Sequence, residues 1–288
     1  FRSLWCLGAQ RKGMVIIMSQ RKHSAIPLTA DRMGRFIGQL RSYEGIPLHK
    51  LAHGLCSAPF LNRIENGERE VGKQMTDAFF QRLGKPVELF ERILDWDEFQ
   101  QWTHRQEIIS HLSHGNASAA LSALLEYLPA KSGVLDQQFA KIVEINCHYL
   151  NGATADALLP MVRDALLLTQ PEFQTTSVDE LLLSQNEGRL LFAYLRLTEQ
   201  LNGFEAVSES YRALLCYFKK PRYESRERVY LFPYVACRVI ENDYRKGLYA
   251  AALEVCDDAL AELTIAIPGK TAHNQRQKTN QEHPRRKR

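Results

Sequence analysis

The sequence has no long hydrophobic run near its N-terminus, where the longest uninterrupted apolar stretch, residues 14–18, is five residues long. A membrane-spanning helix needs about 20 apolar residues, and no signal-peptide core with a cleavage site accompanies the stretch. Cysteine is also sparse, because six cysteines are scattered over 288 residues and no two form a C-x-x-C pair. Scattered thiols of this kind are typical of reduced cytosolic proteins rather than disulfide-stapled secreted ones. We therefore expect a cytoplasmic protein that does not contact a membrane.

The motifs of the common catalytic sites are missing as well. The sequence contains no G-x-S-x-G nucleophile turn, no Walker phosphate loop and no Rossmann fingerprint. His49 and His53 have the four-residue spacing of a helical zinc pair, but no third ligand lies near them in the sequence. His111 and His114 lack such partners in the same way. We therefore expect no enzymatic activity, no metal site and no cofactor.

Charge is distributed unevenly along the chain. Residues 1–30 carry five basic and no acidic side chains, and residues 31–85 carry nine basic and six acidic ones. Residues 270–288 carry seven basic and one acidic side chain, whereas residues 86–269 hold 16 basic and 26 acidic ones, a net charge of −10. An acidic body with basic ends favours a chain that presents one region to a polyanion. The alternative is that the termini are simply charged and solvated.

Residues 31–85 have the pattern of four short helices. Apolar residues at Met33, Ile37 and Leu40 have helical spacing, and similar stripes follow after Pro47, after Ser57 and after Val71. Ser57 is a suitable N-cap for the third helix, and the Asn-Gly pair at 66–67 is a suitable stop. The turn between the second and third helices is about three residues long. This spacing predicts a helix-turn-helix, in which the later helix enters a DNA major groove, although any small helical bundle would show the same stripes.

A family resemblance rests on particular residues of this segment. Residues 36–67 resemble the lambda-repressor-like, XRE-type helix-turn-helix family, through matches at Leu40, Arg41, Leu51, Ala52, Ser57, Leu61, Ile64, Glu65 and Gly67. The run LCSAPFLNRIENGER, followed by QRLG at 81–84 and DEFQQWTHRQEI at 97–108, is similar more narrowly to the Rgg/PlcR-type regulators. That family joins such a DNA-binding domain to tetratricopeptide-like (TPR-like) helical repeats. The resemblance covers roughly residues 31–267 and implies a transcription regulator.

The resemblance also implies roles for individual residues. The recognition helix would present Ser57, Ala58, Pro59, Asn62 and Arg63 to the groove, with Asn66 and Arg69 contacting phosphates. Arg41 and Glu65 match a structural ion pair between the first and third helices. The side chains suit these positions, because Arg63 can pair with guanine and Asn62 with adenine.

Pro47 and Leu48 depart from the family pattern, which has Ser or Thr followed by Gln at this point. The usual pair caps the second helix and touches phosphate, so its absence weakens the expected anchoring on DNA. The alternative hypothesis is therefore a TPR-like scaffold that binds peptides or proteins and carries a degenerate helix-turn-helix.

The rest of the chain has the pattern of paired helices. We predict helices at 98–114, 116–129, 133–151, 154–169, 177–201, 203–219, 224–246 and 247–264. A turn glycine followed by small residues recurs at Gly115, Gly152, Gly203 and Gly247, and the last copy closely resembles a tetratricopeptide repeat. Small residues allow paired helices to approach closely and to bury a continuous core. The predicted fold is all-α: a helix-turn-helix bundle followed by a TPR-like right-handed α-solenoid.

The resemblance further implies that the concave face of the repeats binds a short signalling peptide and mediates homodimerisation. Asn146, Asn186 and Arg189 lie in the middle of predicted helices and are candidates for the peptide contact, although ordinary surface or core roles would also account for them. The expected partners are double-stranded DNA, a second copy of the chain and a short peptide.

The predicted domain order is a basic extension at 1–30, a helix-turn-helix domain at 31–86, repeats at 87–267 and a basic tail at 268–288. The extension is either a segment ahead of the true start, at Met14 or Met18, or a basic arm. The tail is a truncation, a shifted reading frame or a genuine basic tail.

Overall fold

The computed structural model describes residues 30–87, 96–127, 133–223 and 231–266. All regular structure in these ranges is helical, as the all-α prediction requires, and none of the helices there is long and apolar enough to span a membrane. The predicted tail and all but the last residue of the predicted extension lie outside the described residues. The α-helices are α1 (Ala30–Tyr43), α2 (Leu48–Ala52), α3 (Ala58–Glu65), α4 (Lys73–Arg82), α5 (Trp96–Ser113), α6 (Ala117–Tyr127), α7 (Val134–Leu150), α8 (Ala155–Leu167), α9 (Gln185–Asn202), α10 (Ser208–Lys219), α11 (Phe232–Arg245) and α12 (Tyr249–Ala266).

Helices α1–α4 form an N-terminal bundle around one apolar core. Ile37, Leu51, Leu61 and Phe79, one from each helix, are fully buried in it. Because none of these short helices could bury its apolar stripe alone, their stability comes from this shared packing rather than from helix propensity.

The turn between α2 and α3 is longer than the sequence predicted. It spans residues 53–57, five residues rather than about three, and Gly54 lies in the left-handed region at φ 69°. Glycine adopts this conformation without steric penalty, so it lets the chain reverse here. Ser57 caps α3 as predicted, because its hydroxyl oxygen accepts a hydrogen bond from the Phe60 amide at 3.3 Å.

Helices α5–α12 form a stack in which most consecutive helices pack on each other. The four glycines of the predicted repeat signature all lie between helices at positive φ, and each follows a helix end directly or after one residue. The chain is thus a helix-turn-helix bundle followed by TPR-like paired helices.

The predicted helix at 177–201 is wrong in its first third. Residues 178–180 form one 3-10 turn, residues 181–184 are not helical and have extended backbone at Leu181 and Ser184, and α9 begins only at Gln185. Successive side chains of an extended chain point in opposite directions. Leu182 therefore fills the core of the bundle, while Leu181 and Leu183 fill the core of the stack. Burying three leucines in two cores outweighs the helical tendency of this segment.

The predicted helix at 224–246 is confirmed over its described part, from Phe232 to Arg245. Helix α11 begins at Phe232, and residues 224–230 of the prediction lie outside the described residues.

Candidate functional site

Helix α3 has one buried face and one exposed face. Leu61 and Ile64 are buried against the rest of the bundle. The predicted groove-facing residues lie toward the other side: Ser57, Pro59, Asn62 and Arg63 are exposed and Ala58 is half-buried. The helix therefore presents a short polar and basic surface to solvent.

The exposed face of α3 is held from behind by α1. Arg41 Nε and Nη2 donate to the two carboxylate oxygens of Glu65, both at 2.7 Å, and Nη1 donates to the Ile46 carbonyl at 2.9 Å. The hydrogen bond to Glu65 raises the pKa of Arg41 above its ordinary value. A bidentate pair of this kind restrains orientation as well as distance, so it keeps the C-terminal end of α3 on α1.

Two glycines of α1 allow this close contact. A Cβ atom on Gly34 would lie 2.0 Å from the Ile64 carbonyl oxygen, and one on Gly38 would lie 3.1 Å from the Glu65 Cβ. Any larger residue at Gly34 would have to push α3 away. Gly34, Gly38 and Arg41 thus form one stripe along α1 against which α3 packs.

The two predicted phosphate contacts follow directly after α3. Arg69 and Asn66 are both exposed, and the Asn66 side-chain amide donates to a Glu68 carboxylate oxygen at 3.4 Å. Among the described residues, neither Arg63 nor Arg69 takes part in an ion pair or hydrogen bond through its side chain. Both guanidinium groups therefore have their donors available to an anionic partner.

A cleft of about 480 Å³ lies where the bundle meets the stack. Its walls come from α4, α5 and the first turns of α7 and α9. The apolar lining consists of Met75, Ala78, Trp102, Ile109, Leu112, Val134, Leu135, Phe139, Ile142 and Val143. Ligand cavities commonly enclose roughly 300–1,000 Å³ and are lined mainly by apolar side chains, so this cleft has the size and character of a binding site.

The charged side chains of the cleft balance one another. Three basic residues and three acidic residues line it: Lys73, Arg105, Arg189, Asp77, Glu98 and Asp136. Lys73 Nζ lies 2.7 Å from an Asp77 oxygen, and Arg105 Nη2 lies 2.7 Å from Asp136 Oδ1. Because the lining carries no net charge, it is suited to a ligand with apolar side chains and neutral hydrogen-bonding groups.

The three candidate peptide contacts lie in different places. Asn186 and Arg189, on the first turns of α9, both line the cleft. Asn146 on α7 is not part of that lining; it is buried, and its amide donates to the Ile142 carbonyl at 2.7 Å.

A buried ion pair joins the two parts of the molecule, and the sequence did not indicate it. Arg82 at the end of α4 and Glu187 in the first turn of α9 are both fully buried. Arg82 Nη2 donates to Glu187 Oε1 at 2.5 Å and Nε donates to Oε2 at 3.2 Å. The remaining donors reach three backbone carbonyls: Leu51 at 3.0 Å, His53 at 2.6 Å and Thr169 at 3.0 Å. One feature of the sequence could have indicated the position of Glu187. Ser184 and Glu187 have the spacing of a capping box, which marks the start of α9.

A smaller cavity of about 240 Å³ lies between α2 and the loop that precedes α9. His49, His53, Glu172 and Glu180 are among its lining residues. Within the described ranges, however, no three His, Cys, Asp or Glu side chains are grouped as metal ligands would be.

Comparison with known proteins yields one similarity. No family model matches the chain, and no curated protein sequence matches it. Among solved structures, the chain is similar to a crystal structure of Bacillus thuringiensis PlcR in complex with the peptide PapR7 and DNA. The TM-score is 0.42 at 14% sequence identity, and the alignment covers 81% of this chain and 80% of that one. At this level the assignment of function depends on the geometry of the site itself.

Proposed function

We propose that this protein is a sequence-specific regulator of transcription that reads double-stranded DNA with α3. The observation that carries the proposal is the arrangement of α3. Its inner face is fixed by the bidentate Arg41–Glu65 pair, while Asn62 and Arg63 stand exposed on its outer face. Asn and Arg are the side chains that pair in bidentate fashion with adenine and guanine in the major groove.

The proposal includes a homodimer. One α3 reads only a few base pairs, and helix-turn-helix proteins reach useful specificity by pairing two copies over half-sites about one helical turn apart or a multiple of that. We therefore expect a two-fold symmetric or near-symmetric binding site.

We further propose that the cleft binds a short peptide that controls DNA binding. The support is the combination of apolar lining, balanced charge, and the side chains of Asn186 and Arg189 in the lining. Such a lining favours peptides with apolar side chains, whose backbone amides meet the polar groups.

A scaffold that no longer binds DNA is the second candidate function. One observation favours it: the N-cap residue of α2 is Pro47, which supplies no side-chain cap hydrogen bond. The phosphate contact that a polar residue would make there is lost with the cap.

Selection of bound duplexes from a random DNA pool separates the two functions. The first predicts enrichment of a symmetric motif by the full chain, and Arg63→Ala then relaxes the preference at one base-pair position per half-site by about 1–3 kcal/mol. Arg163→Ala is the matched control, because Arg163 is an exposed arginine on α8 whose side chain pairs with its neighbour Asp164. Binding without any enriched motif would favour the scaffold.

The peptide proposal has its own test. Trp102 lines the cleft and is partly exposed, so its fluorescence should change when a pool of short synthetic apolar peptides is titrated into the full chain. Asn186→Ala should weaken the response of any peptide that binds. A response unchanged by this substitution would place the peptide elsewhere.

A further inference from the structure

The buried pair between Arg82 and Glu187 connects the walls of the cleft. Arg82 follows directly after Gln81, and Glu187 lies between Ser184 and Arg189; these three neighbours all line the cleft. The two walls also touch directly, because the Gln185 amide donates to the Gln81 side-chain oxygen at 3.1 Å. A ligand that moves the first turn of α9 relative to α4 must therefore act on this pair.

The same guanidinium reaches the helix-turn-helix. Its Nη1 atom holds the carbonyls of Leu51 and His53, which are the last turn of α2 and the first residue of the turn that leads to α3. Arg82 thus contacts the base of the DNA-reading motif with one nitrogen and the cleft wall with the other two.

Burial gives the pair a narrow range of arrangements. Removing either partner would leave an unpaired charge away from water, which is strongly unfavourable. Glu187 is also fixed by its own helix, since its Oε2 atom accepts from the Ser184 amide at 2.6 Å. Any movement of Glu187 therefore carries the start of α9 with it.

We infer that the Arg82–Glu187 pair couples the cleft to α3, so that occupancy of the cleft and binding of DNA alter each other's affinity. The inference rests on the proposed function, and it assigns Arg82 and Glu187 as the positioning residues that connect the cleft with α3. Because such coupling is reciprocal, it is measurable from the DNA side without knowledge of the natural peptide.

Hydrogen exchange of the full chain, free and bound to the duplex enriched by selection, tests the inference. In the wild type, DNA should change exchange rates at residues 184–190 and 133–143 by about five-fold or more. We call this the distant change, because these residues lie outside the bundle that contains α3. Glu187→Gln removes the charge while preserving the side-chain shape, and it should abolish the distant change. Glu199→Gln is the matched control, because Glu199 is an ion-paired carboxylate on the same helix but contacts Tyr211 and Arg238 instead. In this control, DNA should still change the exchange rates at residues 184–190 and 133–143, even though the variant is less stable than the wild type.

A second variant guards against misfolding. Arg82→Lys keeps the positive charge opposite Glu187 but cannot reach three carbonyls and a carboxylate at once. It should fold, bind DNA and show a reduced distant change.

The possible outcomes separate the inference from the proposed function. Tight DNA binding with unchanged exchange at 184–190 in the wild type overturns the coupling alone, and so does a distant change that persists in both variants. Failure of the wild type to bind any duplex overturns the proposed function. In that case the free protein still tests the contact between the pair and α2. Hydrogen exchange at residues 48–57 should rise in Glu187→Gln and not in Glu199→Gln. Any other result would show that the pair does not stabilise α2.

Discussion

Two exposed arginines at the C-terminal end of α3 have different positions and, on our proposal, different tasks. Arg63 lies within the helix beside Asn62, whereas Arg69 lies beyond the Gly67 turn. Arg69→Ala should weaken binding to all duplexes alike and reduce the slope of log affinity against log salt concentration by about 0.9. Arg63→Ala should instead change the preferred base. Fluorescence anisotropy at several salt concentrations distinguishes them, and an unchanged salt slope for Arg69→Ala would remove Arg69 from the phosphate contacts.

Gly34 is the residue on which the seating of α3 depends most directly. A Cβ there would lie 2.0 Å from a backbone oxygen of Ile64, and backbone cannot move aside as a side chain can. We expect Gly34→Ala to lower the free energy of unfolding by about 1–3 kcal/mol despite the better helix propensity of alanine.

Gly188→Ala is the control for this substitution. Gly188 is also helical, but the atom that a Cβ would meet is the end of the Leu231 side chain at 3.3 Å. The unfolding free energy of Gly188→Ala, measured by urea denaturation, should stay near that of the wild type or rise by up to about 1 kcal/mol. Equal losses in the two variants would show that the contact with α3 is not the cause.

At the scale of elements, periodicity predicted most of the helices because their apolar stripes face shared cores. Helices α5 to α8 begin and end within about two residues of their predicted bounds, and the turn glycines fall where the repeat signature placed them. The prediction failed at 177–184, where three consecutive leucines read equally well as helix and as buried extended chain. Only the tertiary structure places Leu182 in one core and its neighbours in another.

The candidate site was predictable to a different extent. The exposed face of α3 follows from local pattern and family resemblance, because cap, stripe and stop lie within a dozen residues. The Arg82–Glu187 pair does not, since its partners lie 105 positions apart and Arg82 occurs within an otherwise amphipathic helix. The cleft could not be predicted either, because its walls come from four helices that only the fold brings together.

Glu199 ties three helices of the stack together. It accepts from Tyr211 Oη on α10 at 2.9 Å and from Arg238 Nε on α11 at 3.3 Å. Burial raises the pKa of Glu199, but the hydrogen bonds from Arg238 and Tyr211 and the positive charges of Arg196 and Arg238 together hold it below its ordinary value. A lowered pKa in the folded state means that the ionised form stabilises the fold at neutral pH, and that this contribution is lost as pH falls through the lowered pKa.

Glu199→Gln should therefore destabilise the protein most at neutral pH. The difference in unfolding free energy between wild type and variant should shrink between about pH 7 and about pH 3, because the protonated wild-type side chain resembles glutamine. Urea denaturation at both pH values measures it. Glu126→Gln, at an exposed glutamate of α6, is the control and should show no such trend. A difference for Glu199→Gln that stays constant with pH would show that the ionised carboxylate does not stabilise the fold.

At the scale of the whole molecule, the helix-turn-helix bundle is docked on its own repeat stack. A Cβ on Gly54 would lie 2.0 Å from the Thr169 carbonyl oxygen, and one on Gly84 would lie 2.5 Å from that of Arg222. Leu182 of the stack completes the core of the bundle. These contacts fix the direction in which α3 points. On our proposal, the spacing between two half-sites is then set by how two stacks associate.

Gly54→Ala tests whether docking holds the bundle in place, and the chain supplies a matched control. Gly54 and Gly152 both lie in turns at positive φ, 69° and 83°, but a Cβ on Gly152 would meet nothing within 4 Å. Gly152→Ala should lower the free energy of unfolding only by the cost of a left-handed backbone, about 1–2 kcal/mol. Gly54→Ala adds a clash with the backbone at Thr169, so it should lower the free energy of unfolding by about 1–3 kcal/mol more than Gly152→Ala does. Urea unfolding gives the two losses, and hydrogen exchange should show the excess at residues 48–57 and 169. Because both variants share the same strained backbone, equal losses would mean that the bundle does not depend on its seat on the stack, and α3 would then be free to turn independently of the repeats.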